Sequence, residues 1–366
     1  MESAVFLNES VVRDILINLS RDEIIAIQNE LTKSLSDVSL GEEGAYQPNA
    51  SHINRPNGQR TLFRPFTSPT NVGAKIVVDP APDPSGRRPP IHGIMAVCDQ
   101  NGIPTGIMGA EELTGFRTAL SAMVPYVWRR RTSSIVIFGA GMQALWHARL
   151  VLALRGSEIK SITFVNRSVS RAQALLGKVQ AENQERWGSP CTFHCVDPNG
   201  ADYDEELEKL LPSADAIFCT VGSTEPLFPA RLVTQERPDE HGPLVSAVGS
   251  WQSTMIELDP AILHHAAGLM HRHKAAAVLT DDRESALKNS GEIVQSGIGW
   301  EDIAEVAQAL EVRRQGVSGS GEPTLIKALE EGLLVYKCIG VSVTDLSVGS
   351  AVLNLAKKKG IGLPLN

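Results

Sequence analysis

The stretch SSIVIFGAGMQALWHARLVLALRG, residues 133–156, decides the fold. Ile135, Val136, Ile137 and Phe138 form a continuous apolar run, as a strand buried on both faces requires. Gly139-Ala140-Gly141-Met142-Gln143-Ala144 follows, in the spacing G-x-G-x-x-A. A helix rich in Leu and Ala then begins. Each small residue has a physical task. Gly139 permits the tight turn, Gly141 lets a backbone approach a pyrophosphate, and Ala144 allows close helix–sheet contact. The helix N-terminus turns its unpaired N–H groups toward an anion. The expectation is a Rossmann-type dinucleotide site contacted by Gly139, Ala140, Gly141, Met142 and Gln143.

Working outward, SITFV (residues 161–165) reads as the next strand, and its tip is Asn166-Arg167-Ser168. A carboxylate there would accept from a ribose 2′-hydroxyl and repel a 2′-phosphate. An arginine among short polar residues would hold the phosphate. Asn166, Arg167 and Ser168 therefore favour NADPH over NADH. RAQALLGKVQAENQERW continues as helix, and ADAIFCTV and LVSAVGS read as further strands, so the block is a parallel α/β sheet.

On the N-terminal side, Val12, Ile15, Leu16 and Leu19 share a helical face, and Ser20 with Glu23 makes a capping box for a second helix. TLFRPF, AKIVV, HGIMAVCD and PTGIMG read as strands. APDPSGRRPP (81–90) is turn chemistry and an expected mobile loop, and RRQGVSGSGEP (313–323) is a second flexible stretch. Thr114 is the expected N-cap of a helix through FRTALSAMVPYVW. The C-terminal helix is expected to begin near Thr344 and stop at Gly360.

The 366 residues suit two domains. Lys and Arg number 34 against 42 Asp and Glu, a net charge of −8, which argues against a nucleic-acid partner. No run of ~18 apolar residues offers a membrane span, and the N-terminus lacks the pattern of a secretory signal. The basic runs at 129–131 and 357–359 sit at expected helix ends. Five irregularly spaced cysteines suit a reducing compartment, so a cytoplasmic location is expected. Cys191 and Cys195 flank His194, but no second cluster completes a metal site, and no metal is expected.

From about residue 60 onward the chain resembles the ornithine cyclodeaminase and mu-crystallin family. The likeness rests on an ordered set: VGAKIVV (72–78), LTGFRTALSA (113–122), FGAGMQALWHARL (138–150), ADAIFCTVGSTEPLF (214–228), VSAVGS (245–250), IEL (256–258), SGEI (290–293) and YKCIGVSVTDL (336–346). The resemblance implies a Rossmann domain, residues 129–335, flanked by an α+β domain. Residues 1–128 and 336–366 would build that second domain, for substrate binding and homodimer formation. A strictly sequential pair of domains is the alternative.

The resemblance also implies roles. Lys75 matches a family lysine that contacts substrate near the reacting carbon. A lysine inside the apolar run AKIVV is in any case costly to bury without an acceptor. Arg117 and Thr118 match a pair facing substrate carboxylate and cofactor. Read as a first-turn residue, Arg117 opposes the helix dipole, which anion binding would explain. Thr220 and Val221 would line the cofactor.

Two departures stand out. An expected arginine after a proline is replaced by Pro48-Asn49-Ala50, with Arg55 nearby, and Arg64 stands before Pro65 where the family commonly has methionine. Arg64 could take over the carboxylate. Trp251 stands after Gly249-Ser250 where true cyclodeaminases have an aspartate, and an indole cannot act as a base. These readings lead to the expectation of an NADPH-dependent ketimine reductase for a small cyclic imine carboxylate, with Arg64, Lys75, Arg117 and Trp251 at the substrate. Ornithine cyclodeaminase, reductive amination of a 2-oxo acid and a non-catalytic NADPH-binding protein are the alternatives.

Overall fold

The computed structural model describes residues 3–87, 89–235, 241–249, 252–273, 277–317, 319 and 322–365, with side chains at 270–273 and 317 excepted. Its contacts divide the chain into two compact units, Met1–Arg117 with Val341–Asn366, and Thr118–Gly340. The sequence expectation put these changes after residues 128 and 335.

The first unit opens with β1 (Ala4–Leu7), α1 (Glu9–Ile17) and α2 (Arg21–Ser39). The expected capping box is made at Ser20 and Glu23. β2 (Ser51–Asn54), β3 (Arg60–Thr67), β4 (Asn71–Asp79), β5 (His92–Asp99) and β6 (Pro104–Gly109) follow. The segment before β5 turns on Asp83, whose Oδ1 accepts from the Ser85 and Arg87 amides.

α3 (Glu111–Tyr126) starts three residues before the expected N-cap Thr114. The reason lies far away in sequence: the Glu9 carboxylate accepts the amides of Glu111 and Glu112, so no local cap is needed. Thr114 instead returns its hydroxyl to the Ala110 carbonyl, and Arg117 lies in the second turn, not the first.

The second unit runs β7 (Ser134–Phe138), α4 (Met142–Arg155), β8 (Ser161–Val165), α5 (Val169–Glu182), β9 (Thr192–Val196), α6 (Tyr203–Leu210), β10 (Ala216–Cys219), α7 (Arg231–Thr234) and β11 (Leu244–Ala247). It continues through α8 (Pro260–His273), β12 (Val278–Thr280), α9 (Arg283–Asn289), α10 (Gly291–Ser296), β13 (Ala304–Glu305), α11 (Val306–Val317), α12 (Pro323–Glu331) and β14 (Leu334–Lys337). α11 corrects the sequence reading at residues 313–317, which are helix where a flexible stretch was expected; residues 318, 320 and 321 of that stretch lie outside the described residues.

Every strand pairing in this unit is parallel, in the order β13-β12-β14-β11-β10-β7-β8-β9. The order reverses between β7 and β10, the place where an open α/β sheet binds its ligand. Val136, Phe138, Ile217, Val245, Ala247 and Val335 pack in the core of this sheet. The basic run 129–131 is structural. Arg129 donates to the carbonyls of Leu329, Gly242 and Gly332, and Arg130 pairs with Glu330 and Glu331.

The chain returns to the first unit through α13 (Ser342–Lys358), which begins two residues before the expected Thr344, and ends in β15 (Leu363–Leu365). The first unit's sheet has the order β15-β1-β6-β5-β4-β3-β2 and is antiparallel except between β1 and β6. α13 lies close on this sheet because of two glycines. A Cβ on Gly349 would stand 2.3 Å from Met95 Cε, and one on Gly106 would stand 2.5 Å from Leu353 Cδ2. Residues 345, 349 and 353 share one helical face. The contact at Gly349 therefore carries Asp345 down to the sheet as well.

Candidate functional site

Lys75 and Arg64 stand opposite each other on β4 and β3, so both point to one face of the sheet. Met95, opposite Lys75 on β5, is the residue on which Gly349 rests. Asp345 in the first turn of α13 meets the lysine there. Lys75 Nζ lies 2.7 Å from Asp345 Oδ1, and Arg117 Nε from α3 lies 2.9 Å from the same oxygen. Lys75 also donates to Thr114 Oγ1 at 3.3 Å, and Arg117 to Thr344 Oγ1 at 3.5 Å. Lys75 is 2% exposed, Arg117 4% and Asp345 0%. Asp345 Oδ2 is buried and accepts no hydrogen bond among the described residues.

Burial presses Asp345 toward its neutral form, yet the charges of Arg117, Lys75 and Arg64 outweigh it and hold the carboxyl below its ordinary value. For Lys75 the balance runs the other way. Burial drives the ammonium down to about 7; Asp345 opposes the fall, and Arg117 and Arg64 add to it. Asp345 is therefore the fixed charge, and Lys75 is the group that changes protonation near neutrality.

The dinucleotide turn is built as its spacing implies. Gly139 has φ +117°, and a Cβ there would stand 2.5 Å from Thr220 Oγ1 and 3.4 Å from Val221 Cγ2. Thr220 hydrogen-bonds the Phe138 carbonyl through both its amide and its hydroxyl. Gly141 caps α4 without a side chain to accept its first-turn amides, no acid occupies that turn, and a Cβ at Gly141 would meet only open space. Ala140 is half-buried, Gly141 and Met142 are exposed, and Gln143 is half-buried. This cradle fits a dinucleotide's pyrophosphate.

At the β8 tip, Asn166 Nδ2 donates to the Ser168 carbonyl, which shapes the turn, and Arg167 is exposed. The carboxylate nearest in the fold order, Asp197 after β9, accepts from Asn199. Thr118 is buried beside Arg117 in α3. Trp251 lies outside the described residues. No helix among the described residues is long and apolar enough to cross a membrane.

The structure thus brings Lys75, Arg117 and Arg64 together around a residue that sequence reasoning did not single out. Asp345 was visible within YKCIGVSVTDL, but as an acid in a helix's first turn it looked ordinary. The signal that could have found it is Lys75 itself, because a buried lysine calls for a buried acid.

No family model matches the chain. Among curated proteins it is 26% identical over 302 residues to an uncharacterized cyclodeaminase of Dictyostelium discoideum, covering 81% of this chain and 78% of that one. It is 28% identical over 300 residues to the Delta(1)-pyrroline-2-carboxylate reductase of Bacillus cereus, covering 80% and 79%. It is 26% identical over 254 residues to the rat ketimine reductase mu-crystallin, covering 69% and 65%. Among solved structures, an archaeal alanine dehydrogenase dimer with bound NAD superposes with a TM-score of 0.73 at 19% identity, covering 100% of this chain and 99% of that one. The Thermococcus litoralis Delta(1)-pyrroline-2-carboxylate reductase, in complex with NADH and L-proline, gives 0.72 at 17%, covering 99% and 100%. The relatives' names and the two-unit fold shared with the solved structures fit the ornithine cyclodeaminase and mu-crystallin family.

Proposed function

We propose that this protein is an NADPH-dependent ketimine reductase acting on a small cyclic imine carboxylate, such as pyrroline-2-carboxylate or piperideine-2-carboxylate. The observation that carries this reading is that buried Lys75 and Arg117 and half-buried Arg64 gather around the carboxylate of Asp345. Two guanidinium groups and an amine converging on one place suit an anionic ligand, and a substrate carboxylate is such a ligand. Arg117 and Arg64 bind it, and Lys75, able to exist in either form near neutrality, hands a proton to the imine nitrogen. The nicotinamide, when bound, supplies the hydride that reduces the imine carbon. The reductase names of the Bacillus and rat relatives support the same reaction.

The preference for NADPH is supported by the exposed Arg167 at a strand tip without a carboxylate in Asn166-Arg167-Ser168. Arg167→Ala should weaken NADPH by about 1.5–3 kcal/mol and leave NADH nearly unchanged. We also propose substrate binding and homodimer formation through the first unit; the description of the archaeal neighbour as a dimer supports the assembly. Five free cysteines support a cytoplasmic location.

One other reading has support. The Dictyostelium relative is named a cyclodeaminase, and a lysine cyclodeaminase superposes with a TM-score of 0.70. Trp251, where a cyclodeaminase has aspartate, weighs against it. Steady-state NADPH oxidation with the two cyclic imines tests the proposal. Turnover on either supports it. Ammonia and proline released from ornithine, with no imine reduction, would replace it with the cyclodeaminase.

A further inference from the structure

A second buried ionic cluster lies under the carboxyl edge of the parallel sheet. Glu257, Glu292 of α10 and Lys337, the last residue of β14, are each at most 1% exposed. Glu257 Oε1 accepts the Val221 amide at 2.7 Å, and Oε2 accepts the Gly249 amide at 2.6 Å. These two amides lie two residues beyond the ends of β10 and β11, so one carboxylate joins the tips of two neighbouring strands. The Glu257 amide donates to Glu292 Oε1 at 2.8 Å, and Ser290 Oγ donates to Glu292 Oε2 at 3.0 Å. Lys337 Nζ stands 3.6 Å from Glu292 and 3.9 Å from Glu257.

The packing leaves little slack. A Cβ on Gly249 would stand 2.4 Å from the Val221 carbonyl oxygen and 2.6 Å from Glu257 Oε1. Val221 and Thr220 in turn pack against Gly139. A continuous contact path therefore runs from the carboxylate of Glu257, through the β10 tip, to the phosphate-binding turn at the point where the strand order reverses.

We propose that Glu257 is a positioning residue for the dinucleotide: by tying the β11 tip to the β10 tip that packs on Gly139, its carboxylate keeps the nucleotide-binding turn in its binding geometry, and cofactor affinity depends on that clamp. The inference rests on the reading of the Gly139 turn as a dinucleotide site. An ionised carboxylate accepts both amides, whereas a carboxylic acid must present a hydroxyl to one of them. Among the described residues, Cys219 from β10, Glu292 from α10 and Lys337 from β14 are titratable groups that face Glu257. Burial raises the Glu257 carboxyl, Lys337 and the two amides oppose it, Glu292 adds to it, and the group comes to about 7. Cys219 is pushed up by burial and remains a thiol. The clamp is then complete above neutrality and loosens as the solution turns acid.

The test is NADH binding to the full-length protein, followed by fluorescence between about pH 5.5 and 8.5; NADH lacks the 2′-phosphate, which itself titrates in that range. The dissociation constant should rise about tenfold from pH 8 to pH 6, the population of ionised Glu257 falling by that factor. Glu257→Gln should bind about tenfold more weakly than wild type at pH 8 and show no slope, because one amide faces an amide NH2 instead of an oxygen. Glu292→Gln removes a like charge, so its midpoint should move to lower pH. Wild-type affinity and slope in Glu257→Gln would overturn the proposal. Should that variant fail to fold, an unmoved midpoint in Glu292→Gln, or a flat wild-type profile, overturns it equally. Absence of NADH and NADPH binding by wild type at every pH sinks the dinucleotide reading, and this inference with it.

Discussion

The two ionic clusters both join carboxylates to cations, but they complete their charges differently. In the first unit, three cations act on one carboxylate, and the ion pairs are short, 2.7 Å and 2.9 Å. In the second, two carboxylates share one ammonium at 3.6 Å and 3.9 Å, and their oxygens go mainly to backbone amides. A cluster whose acids are answered by N–H groups is a clamp on the chain. A cluster that gathers Lys75, Arg117 and Arg64 around the Asp345 carboxylate is, on the proposed function, where a substrate carboxylate would bind. The difference between structural and binding chemistry lies in what completes each charge.

That comparison is open to direct attack, first through stability. Asp345 pairs with both Lys75 and Arg117, so Asp345→Asn should destabilise the protein by about 3–5 kcal/mol, the cost of breaking a buried ion pair. Glu257→Gln keeps an oxygen for one amide and should cost about 1–3 kcal/mol. Denaturant midpoints at pH 8 check both. An Asp345→Asn protein no less stable than Glu257→Gln would mean that the two clusters do not differ as described.

The second expected effect is on substrate. Arg117→Ala leaves Asp345 its 2.7 Å contact with Lys75, so the fold should survive. Loss of a charge-assisted bond to a carboxylate should lower kcat/KM by about 1.5–3 kcal/mol, tenfold or more, chiefly through KM. An unchanged KM for the cyclic imines would show that Arg117 serves something other than the substrate carboxylate.

How legible these sites were depends on how local their causes are. The Gly139 turn could be read because strand, turn and helix N-terminus are adjacent in sequence. The parallel order followed from the alternation of strands and helices. Of the two reasons for choosing Arg117, the family match and a first-turn position, the second does not hold: the helix starts earlier than Thr114 implies, because Glu9 caps it from about a hundred residues away in the chain. Asp345 lies 270 residues from Lys75, and nothing near it in sequence marks it as buried. Glu257, Glu292 and Lys337 were likewise quoted within IEL, SGEI and YKCIGVSVTDL without roles. The lysines in AKIVV and LVYK each required a buried acid. Which acid answered which lysine depended on tertiary packing, such as the close approach that Gly349 allows.

The smallest expected effect is a displacement between two pH profiles. Lys75 stands at about 7 in the fold against an ordinary 10.5. Between those values the unfolded chain holds a proton that the folded chain lacks, so this group's contribution to stability rises with pH across that window. Activity should run the other way, since only the ammonium can donate: kcat/KM should fall above about pH 7, tenfold per unit. A bound substrate carboxylate adds negative charge beside the lysine and raises its pKa. The falling limb of kcat should therefore lie about one unit above that of kcat/KM. Lys75→Arg keeps the cation but cannot lose its proton in this range, so its residual activity should show neither limb. If the limbs persist in that variant, the titrating group is the imine itself or another residue, and Lys75 would be left as a second anchor for the carboxylate.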